Sequence, residues 1–277
     1  MALGKFDGLH RGHAALAREA AAGGGAAGGW LVSFSGMAEA LGWPPRLPLV
    51  APPDRARVMA DLGVRELVLP FAAVRGLAPR DFLVGVLQQD LGVFRVCCGR
   101  NFRFGRGAAG DAVALQEICL EAGMEPRVLE LLPAVGGGTE GGAGAPGGSA
   151  VACSSTGVRE RLADGDVAGA AELLGRPHRL VLDLDEAHHS AIVSGDGHLE
   201  LAWDPEEAVG GVSRLLNQPP GLGRYAVVAY SEADEPQGVG HLELHEGRLC
   251  LDLEEREIPG LTGSAGVLGL DLVSRLG

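Results

Sequence analysis

Lysine is nearly missing from this chain: Lys5 is the only one, and every other Lys/Arg position is arginine. With the surplus of alanine and glycine, this reads as compositional drift that carries no chemistry. An excess of positive charge is missing too. Lys and Arg total 23 against 36 Asp and Glu, a formal net charge of −13. That balance excludes nucleic acid and anionic membrane as partners, since both favour a basic surface. A nucleotide substrate stays possible, because its phosphates need only local donors. No apolar run is long enough to span a membrane. There is no GxxxxGK[ST] phosphate loop. The five cysteines are Cys97, Cys98, Cys119, Cys153 and Cys250. An odd count without CxxC spacing gives neither a disulfide framework nor a zinc site, and points to a reducing compartment. A targeting segment is absent as well. Met1-Ala2-Leu3 runs strand-like straight into a Gly-rich motif, so the first strand reads as cut short.

The 277 residues suffice for one large domain and a small one. The first part alternates short apolar strands with helices. Leu3 leads into a loop, and His13 to Ala22 reads as an Ala-rich helix stopped by Gly23-Gly24-Gly25. Strands follow at Trp30 to Phe34, Arg65 to Phe71, Val93 to Cys98 and Arg127 to Leu132. Helices fall between them at Pro53 to Leu62, Pro79 to Leu91 and Asp111 to Ala122, each followed closely by glycine. Such alternation predicts a Rossmann-like parallel sheet covered on both faces, with ligands at the carboxyl ends of its strands. Residues 134–150, rich in Gly and Ala, read as a flexible insertion. Val151 to Cys153 then reads as a further strand. Helices follow at Ser155 to Leu162 and Val167 to Leu174, the second capped by Asp166 and ended by Gly175. From 179 to 277 the pattern changes to strands around Gly turns, including a hairpin of 191–193 with 198–203. The predicted division is therefore an α/β domain over 1–178 and a small β-rich module over 179–277. Cys97-Cys98 reads as strand interior and His188-His189 as loop. His241 and His245 share a strand face without further ligands in sequence, which gives no metal site.

Three motifs carry chemistry. The first is Gly4-Lys5-Phe6-Asp7-Gly8-Leu9-His10-Arg11-Gly12-His13, joining a strand to a helix. His10 and His13, three apart, can face one way at a helix start. Gly12 removes a side chain where a phosphate would approach the backbone. The free N–H groups and partial positive charge of a helix N-terminus complete a polyphosphate site. The alternative is a Gly-rich turn with two surface histidines. The second motif is Ser154-Ser155-Thr156-Gly157-Val158-Arg159. Its hydroxyls can simply cap a helix, or Arg159, leaning back toward the N-terminus, can reach a phosphate there. The third is Gly99-Arg100-Asn101-Phe102-Arg103-Phe104-Gly105-Arg106-Gly107. It reads either as a basic loop over two tucked aromatics or as a flap for a flat aromatic ring with an anionic tail.

In this order the three motifs resemble the FAD synthetase family, the flavin branch of the HxGH nucleotidyltransferases. The resemblance covers about residues 1–179. The run Phe34-Ser35-Gly36-Met37-Ala38-Glu39-Ala40-Leu41-Gly42-Trp43, with Gly4-Lys5-Phe6-Asp7, is similar to the plant and algal plastid form. It implies transfer of AMP from ATP to FMN, giving FAD and pyrophosphate, with Mg²⁺ carried on the phosphates. It also implies roles. His10, His13 and Arg159 would be catalytic. Gly4, Phe6, Asp7, Gly8, Gly12, Ser154, Ser155 and Thr156 would line ATP, and Asn101, Phe102 and Phe104 would contact FMN. No metal ligand can be named, Asn101 being a guess. The bacterial relatives add a riboflavin kinase domain with a Pro-Thr motif. No Pro-Thr dipeptide occurs here, so the β-rich tail is expected to be a reduced or diverged module without kinase activity. The plastid form also implies a stromal protein whose native precursor extends upstream with a transit peptide; otherwise the location would be cytoplasmic. Two rivals stand beside this reading: a non-catalytic flavin or nucleotide binder on a degenerate scaffold, and nucleotidyl transfer to another acceptor. The aromatic loop favours flavin over both.

Overall fold

The computed structural model describes residues 1–25, 28–130, 132–133, 152–184, 197–202, 215–254 and 266–277. The predicted insertion, His188-His189 and the first arm of the predicted hairpin lie outside the described residues. The chain divides into two compact units. The first holds Met1–Pro45, Pro53–Pro133 and Ala150–Cys153, and the second holds Arg46–Pro52, Ala134–Ser149 and Ser154–Gly277.

The first unit is a five-stranded parallel sheet. Its strands are β1 (Ala2–Leu3), β2 (Gly29–Ser35), β3 (Val64–Pro70), β4 (Arg95–Gly99) and β5 (Glu125–Leu129), in the order β3-β2-β1-β4-β5. The two-residue β1 is central and pairs with β2 and β4. Alternate side chains point to opposite faces. Leu3, Val32, Val96 and Cys98 pack on one side with Phe82, Leu83, Leu87, Leu115 and Cys119. The other side takes helix α1 (Arg11–Gly23). Its buried face is mostly Ala14, Ala17 and Ala20, and Gly29 has no Cβ to meet the Ala20–Ala21 backbone, so helix and strand approach closely. Short helices α2 (Met37–Leu41) and α4 (Phe71–Val74) and the longer α3 (Pro52–Asp61) and α5 (Ala112–Glu121) complete the connections. Phe71, expected to end β3, opens α4 instead. The helix expected over Pro79 to Leu91 is wound as a π-helix over Asp81–Asp90. Its buried Phe82, Leu83 and Leu87 are spaced in a way that fits either winding. Burial pushes the Cys98 thiol up to about 12 and Cys119 to about 11, as expected of inert strand and helix interior.

Cys153 corrects the sequence reading. Of the strand expected over Val151 to Cys153, Ala152 and Cys153 are described, and neither joins the parallel sheet. Ala152 makes one antiparallel bridge to Pro133, and the Cys153 N–H donates to the Leu132 carbonyl at 2.8 Å. Three residues are too few to compete for the sheet when that neighbouring segment is already at hand.

The second unit contains α6 (Ser155–Ala163), α7 (Val167–Leu174) and an antiparallel sheet. Its strands are β6 (His178–Leu184), β7 (His198–Ala202), β8 (Gly223–Tyr230), β9 (Pro236–His245), β10 (Arg248–Leu253) and β11 (Gly266–Leu276), in the order β6-β11-β8-β9-β10-β7. The contacts group α6 and α7 with this sheet, whereas the sequence pattern assigns them to the α/β part. Asn217, fully buried, ties three backbone segments together. Its Oδ1 accepts from Val181 N–H at 2.8 Å, and its Nδ2 donates to the carbonyls of Arg179 at 2.7 Å and Leu49 at 3.1 Å. Asn217→Ala would strand three buried backbone groups at once. It should lower stability by roughly 3 kcal/mol or more in urea unfolding; a loss under about 1 kcal/mol would show that the site relaxes around the missing amide.

Candidate active site

The loop between β1 and α1 is shaped by two unusual residues. Phe6 has φ 47° and Leu9 φ 45°, conformations that side chains rarely adopt. Both are buried. Phe6 lies so close under Gly4 that a Cβ there would stand 3.0 Å from its ring. The turn delivers His10 to the cap of α1. His10 is 6% exposed, and its Nδ1 accepts a long hydrogen bond, 3.4 Å, from the His13 N–H. A backbone N–H can only donate, so neutral His10 carries its proton on Nε2. The His10 and His13 rings stack 3.7 Å apart at 20°, and Phe6 meets His13 edge-on at 5.0 Å. The first turn of α1 contains no acidic residue to offset the helix's positive end.

His13 is held neutral. Burial lowers its pKa well below the ordinary 6.5, and the charge of His10, whenever it is protonated, and of Arg55 adds to the effect. Its Nδ1 is buried without a hydrogen-bond partner among the described residues. A buried polar atom left so calls for a ligand or another explanation. Sequence reasoning missed two neighbours. Cys153 Sγ stands 3.5 Å from His10 Nδ1 across 143 positions of chain. Arg55 donates to the Phe6 carbonyl at 2.8 Å. No spacing rule could have found either one.

The family model for FAD synthetase matches residues 1–136. FAD synthetase 2, chloroplastic, of Arabidopsis thaliana is 37% identical over 268 residues, covering 90% of this chain and 68% of that protein. The chain belongs to the FAD synthetase family. FAD synthetase 1, chloroplastic, of the same plant is 37% identical over 247 residues, 85% of this chain and 64% of its own length. The bifunctional riboflavin kinase/FMN adenylyltransferase of Escherichia coli K12 is 31% identical over 186 residues, 64% of this chain and 54% of that protein. Among solved structures, the crystal structure of a macrolide-efflux protein from Streptococcus pneumoniae matches with TM-score 0.72 at 20% identity, over 100% of this chain and 84% of that one. That last likeness speaks for the fold alone.

The other residues expected at a FAD synthetase site are placed unevenly. Gly4, Phe6, Asp7, Gly8 and Gly12 come together with the histidines in the turn. Gly12 has a packing reason of its own, since a Cβ there would stand 3.2 Å from the His10 ring. Asn101 is exposed and Phe102 half-buried, but Phe104 is 6% exposed within the hydrophobic core. Its ring stacks on Phe102 at 5.7 Å and lies 6.2 Å from Phe82, and a Cβ on Gly110 would stand 2.7 Å from it. The loop therefore buries Phe104 by itself, and its presence needs no ligand ring to explain it. Ser154, Ser155, Thr156 and Arg159 belong to the second unit. Ser154 caps α6 by accepting from Gly157 N–H at 3.1 Å. The Arg159 guanidinium donates to Gln218 Oε1 at 2.9 Å and to the Leu47 carbonyl at 2.8 Å.

Two outcomes are expected. Phe104→Ala should cost about 3–5 kcal/mol of stability, seen as an earlier urea midpoint; unchanged melting with weaker FMN binding would return the ring to the ligand. The second concerns pH. Unfolded His13 takes up a proton near its ordinary 6.5 while folded His13 resists. The unfolded state thus binds more protons, and stability falls as pH drops through 6.5 until the folded pKa is reached. His13→Gln should flatten that decline between pH 7.5 and 5.5; identical slopes in both proteins would contradict a neutral, buried His13.

Proposed function

We propose that the chain joins FMN to the adenylyl group of ATP, giving FAD and pyrophosphate, with His10 and His13 as its phosphate site. The observation that carries this is the buried, stacked histidine pair at the start of α1, with one His13 nitrogen left to be satisfied. An FMN phosphate oxygen attacks the α-phosphorus of ATP. The new P–O bond forms as the bond to the β-phosphate oxygen breaks, and pyrophosphate leaves with that electron pair. Little covalent chemistry falls to the protein, so positioning and charge stabilisation dominate. His10 Nε2–H and His13 supply neutral donors, and the α1 N-terminus supplies its dipole. Asp7, Gly8 and the Phe6 backbone line the nucleotide. In this reading Arg159 and the Ser154-Ser155-Thr156 hydroxyls act on ATP, and Asn101 and Phe102 on the flavin, as the sequence resemblance implies.

Among the described residues no group of three or more His, Cys, Asp or Glu could hold a metal ion. Mg²⁺ would therefore come on the ATP phosphates and keep its water ligands. No helix among the described residues is long and apolar enough to cross a membrane. A plastid location is proposed from the chloroplastic relatives.

The test is FAD formation from FMN and MgATP, followed by chromatography. His13→Ala should lower turnover roughly 100-fold or more while FMN binding persists; turnover within a few-fold of the parent would remove the histidines from the site. Riboflavin with MgATP should give no FMN, because the Pro-Thr motif is absent. FMN produced by the pure protein would refute the kinase-free reading.

A further inference from the structure

Beneath the histidine turn lies a braced ion pair that the reaction as written does not use. Arg55 stands in the first turn of α3, and Glu66 on β3. Arg55 Nε donates to Glu66 Oε2 at 2.9 Å and Nη2 to Oε1 at 2.5 Å. Ser33, on β2, donates its hydroxyl to the same Oε1 at 2.5 Å. The remaining Arg55 nitrogen, Nη1, donates to the Phe6 carbonyl at 2.8 Å. Only 21% of the Arg55 side chain and 17% of Glu66 are exposed. Burial alone would raise the Glu66 carboxyl, but the Arg55 and Ser33 hydrogen bonds and the Arg55 charge outweigh it and hold it ionised.

An ordinary exposed pair contributes little and commits to no one geometry. Here the carboxylate is pinned by a third group, so the planar guanidinium has one orientation. Its free edge ends on the carbonyl of a residue with positive φ. That residue also touches His13 with its ring. We propose that Arg55 is a positioning residue for nucleotidyl transfer. Braced by Glu66 and Ser33, it holds the Phe6 carbonyl and so sets the turn that carries His10 and His13. The inference rests on the phosphate-site reading of those histidines. Lysine cannot replace it, because a single ammonium cannot grip a carboxylate with two nitrogens while a third reaches a carbonyl. The Arg55 charge has a second effect, disfavouring protonation of His13.

The experiment compares Arg55→Ala and Arg55→Lys with the parent. Rates are measured with FMN and MgATP, folding by melting curve, and the His13 ring by NMR titration. Arg55→Ala should lower kcat about 100-fold with the KM for FMN within about threefold, the pattern of misplaced catalytic groups. Arg55→Lys should lower kcat about tenfold, since charge remains but the fork is lost. Added guanidinium ion should restore part of the rate to Arg55→Ala. The His13 titration should move up in Arg55→Ala and less in Arg55→Lys. Folded variants with kcat within twofold of the parent overturn the proposal. A rate that falls only in step with the folded fraction overturns it too. If Arg55→Ala does not fold, Arg55→Lys decides by the same limits. If the parent makes no FAD, the catalytic reading fails instead. The NMR arm then stands alone, and a folded Arg55→Ala with unmoved His13 overturns the positioning role.

Discussion

The site depends on a short turn that the backbone enters against its preference. Phe6 and Leu9 both take positive φ, and each such residue costs on the order of 1 kcal/mol or more unless its surroundings insist on it. The surroundings do insist. Phe6 is buried, its ring fills the space under Gly4, and its carbonyl accepts from Arg55. Leu9 is buried too. With both anchored, the chain can leave a two-residue central strand and begin α1 with a histidine as its cap. An ordinary cap residue would use a short oxygen for the work His10 Nδ1 does here. The imidazole instead caps with one nitrogen and keeps the other as a donor. Stacking on His13 then follows from the three-residue spacing on a helix. Gly4 and Gly12 are thus explained by what stands beside them.

Much of the fold is written in local signals. Strand and helix alternate at short range, and their ends carry chemistry that needs no tertiary information. Asp111 accepts from Val113 and Ala114 N–H, and Asp166 from Gly169 N–H. Gly175 ends α7 with φ 78°. The histidine spacing belongs to the same local class. Arg55, Glu66 and Ser33 do not. Their contacts join positions 11 to 49 apart, and the Cys153 contact with His10 spans 143. Nothing in periodicity or spacing encodes such pairs. Phe104 shows the opposite case. A Gly-rich stretch suggests surface, yet Gly110 is the residue that lets the Phe104 ring fold inward against the Phe82 core. Arg159 shows a third kind of non-local placement. Its reach back along α6 is allowed by helix geometry, but Leu47 and Gln218 offer acceptors that the sequence does not place beside it.

The charge balance is the remaining puzzle for a protein proposed to bind ATP and FMN, since a net −13 repels both. Two formal cations, Lys5 and Arg11, lie in the histidine motif itself, and the buried groups beside them add no unmatched charge. His13 is neutral, and the Arg55 charge is matched by Glu66. The other groups there are polar and fixed: ring and backbone N–H groups, and a helix N-terminus without a first-turn acid to blunt it. Such donors act over a few ångströms, whereas the acidic surface acts at longer range and is screened beyond roughly 8 Å at physiological salt. Short-range binding and long-range repulsion therefore need not compete. Fixed dipoles stabilise charge that develops during transfer without reorganising. They also hold a departing pyrophosphate less tightly than a cluster of unpaired arginines would, because each hydrogen bond lacks a formal charge on the protein side. Fixed neutral donors at the proposed site thus favour the moment of transfer over retention of its anionic products.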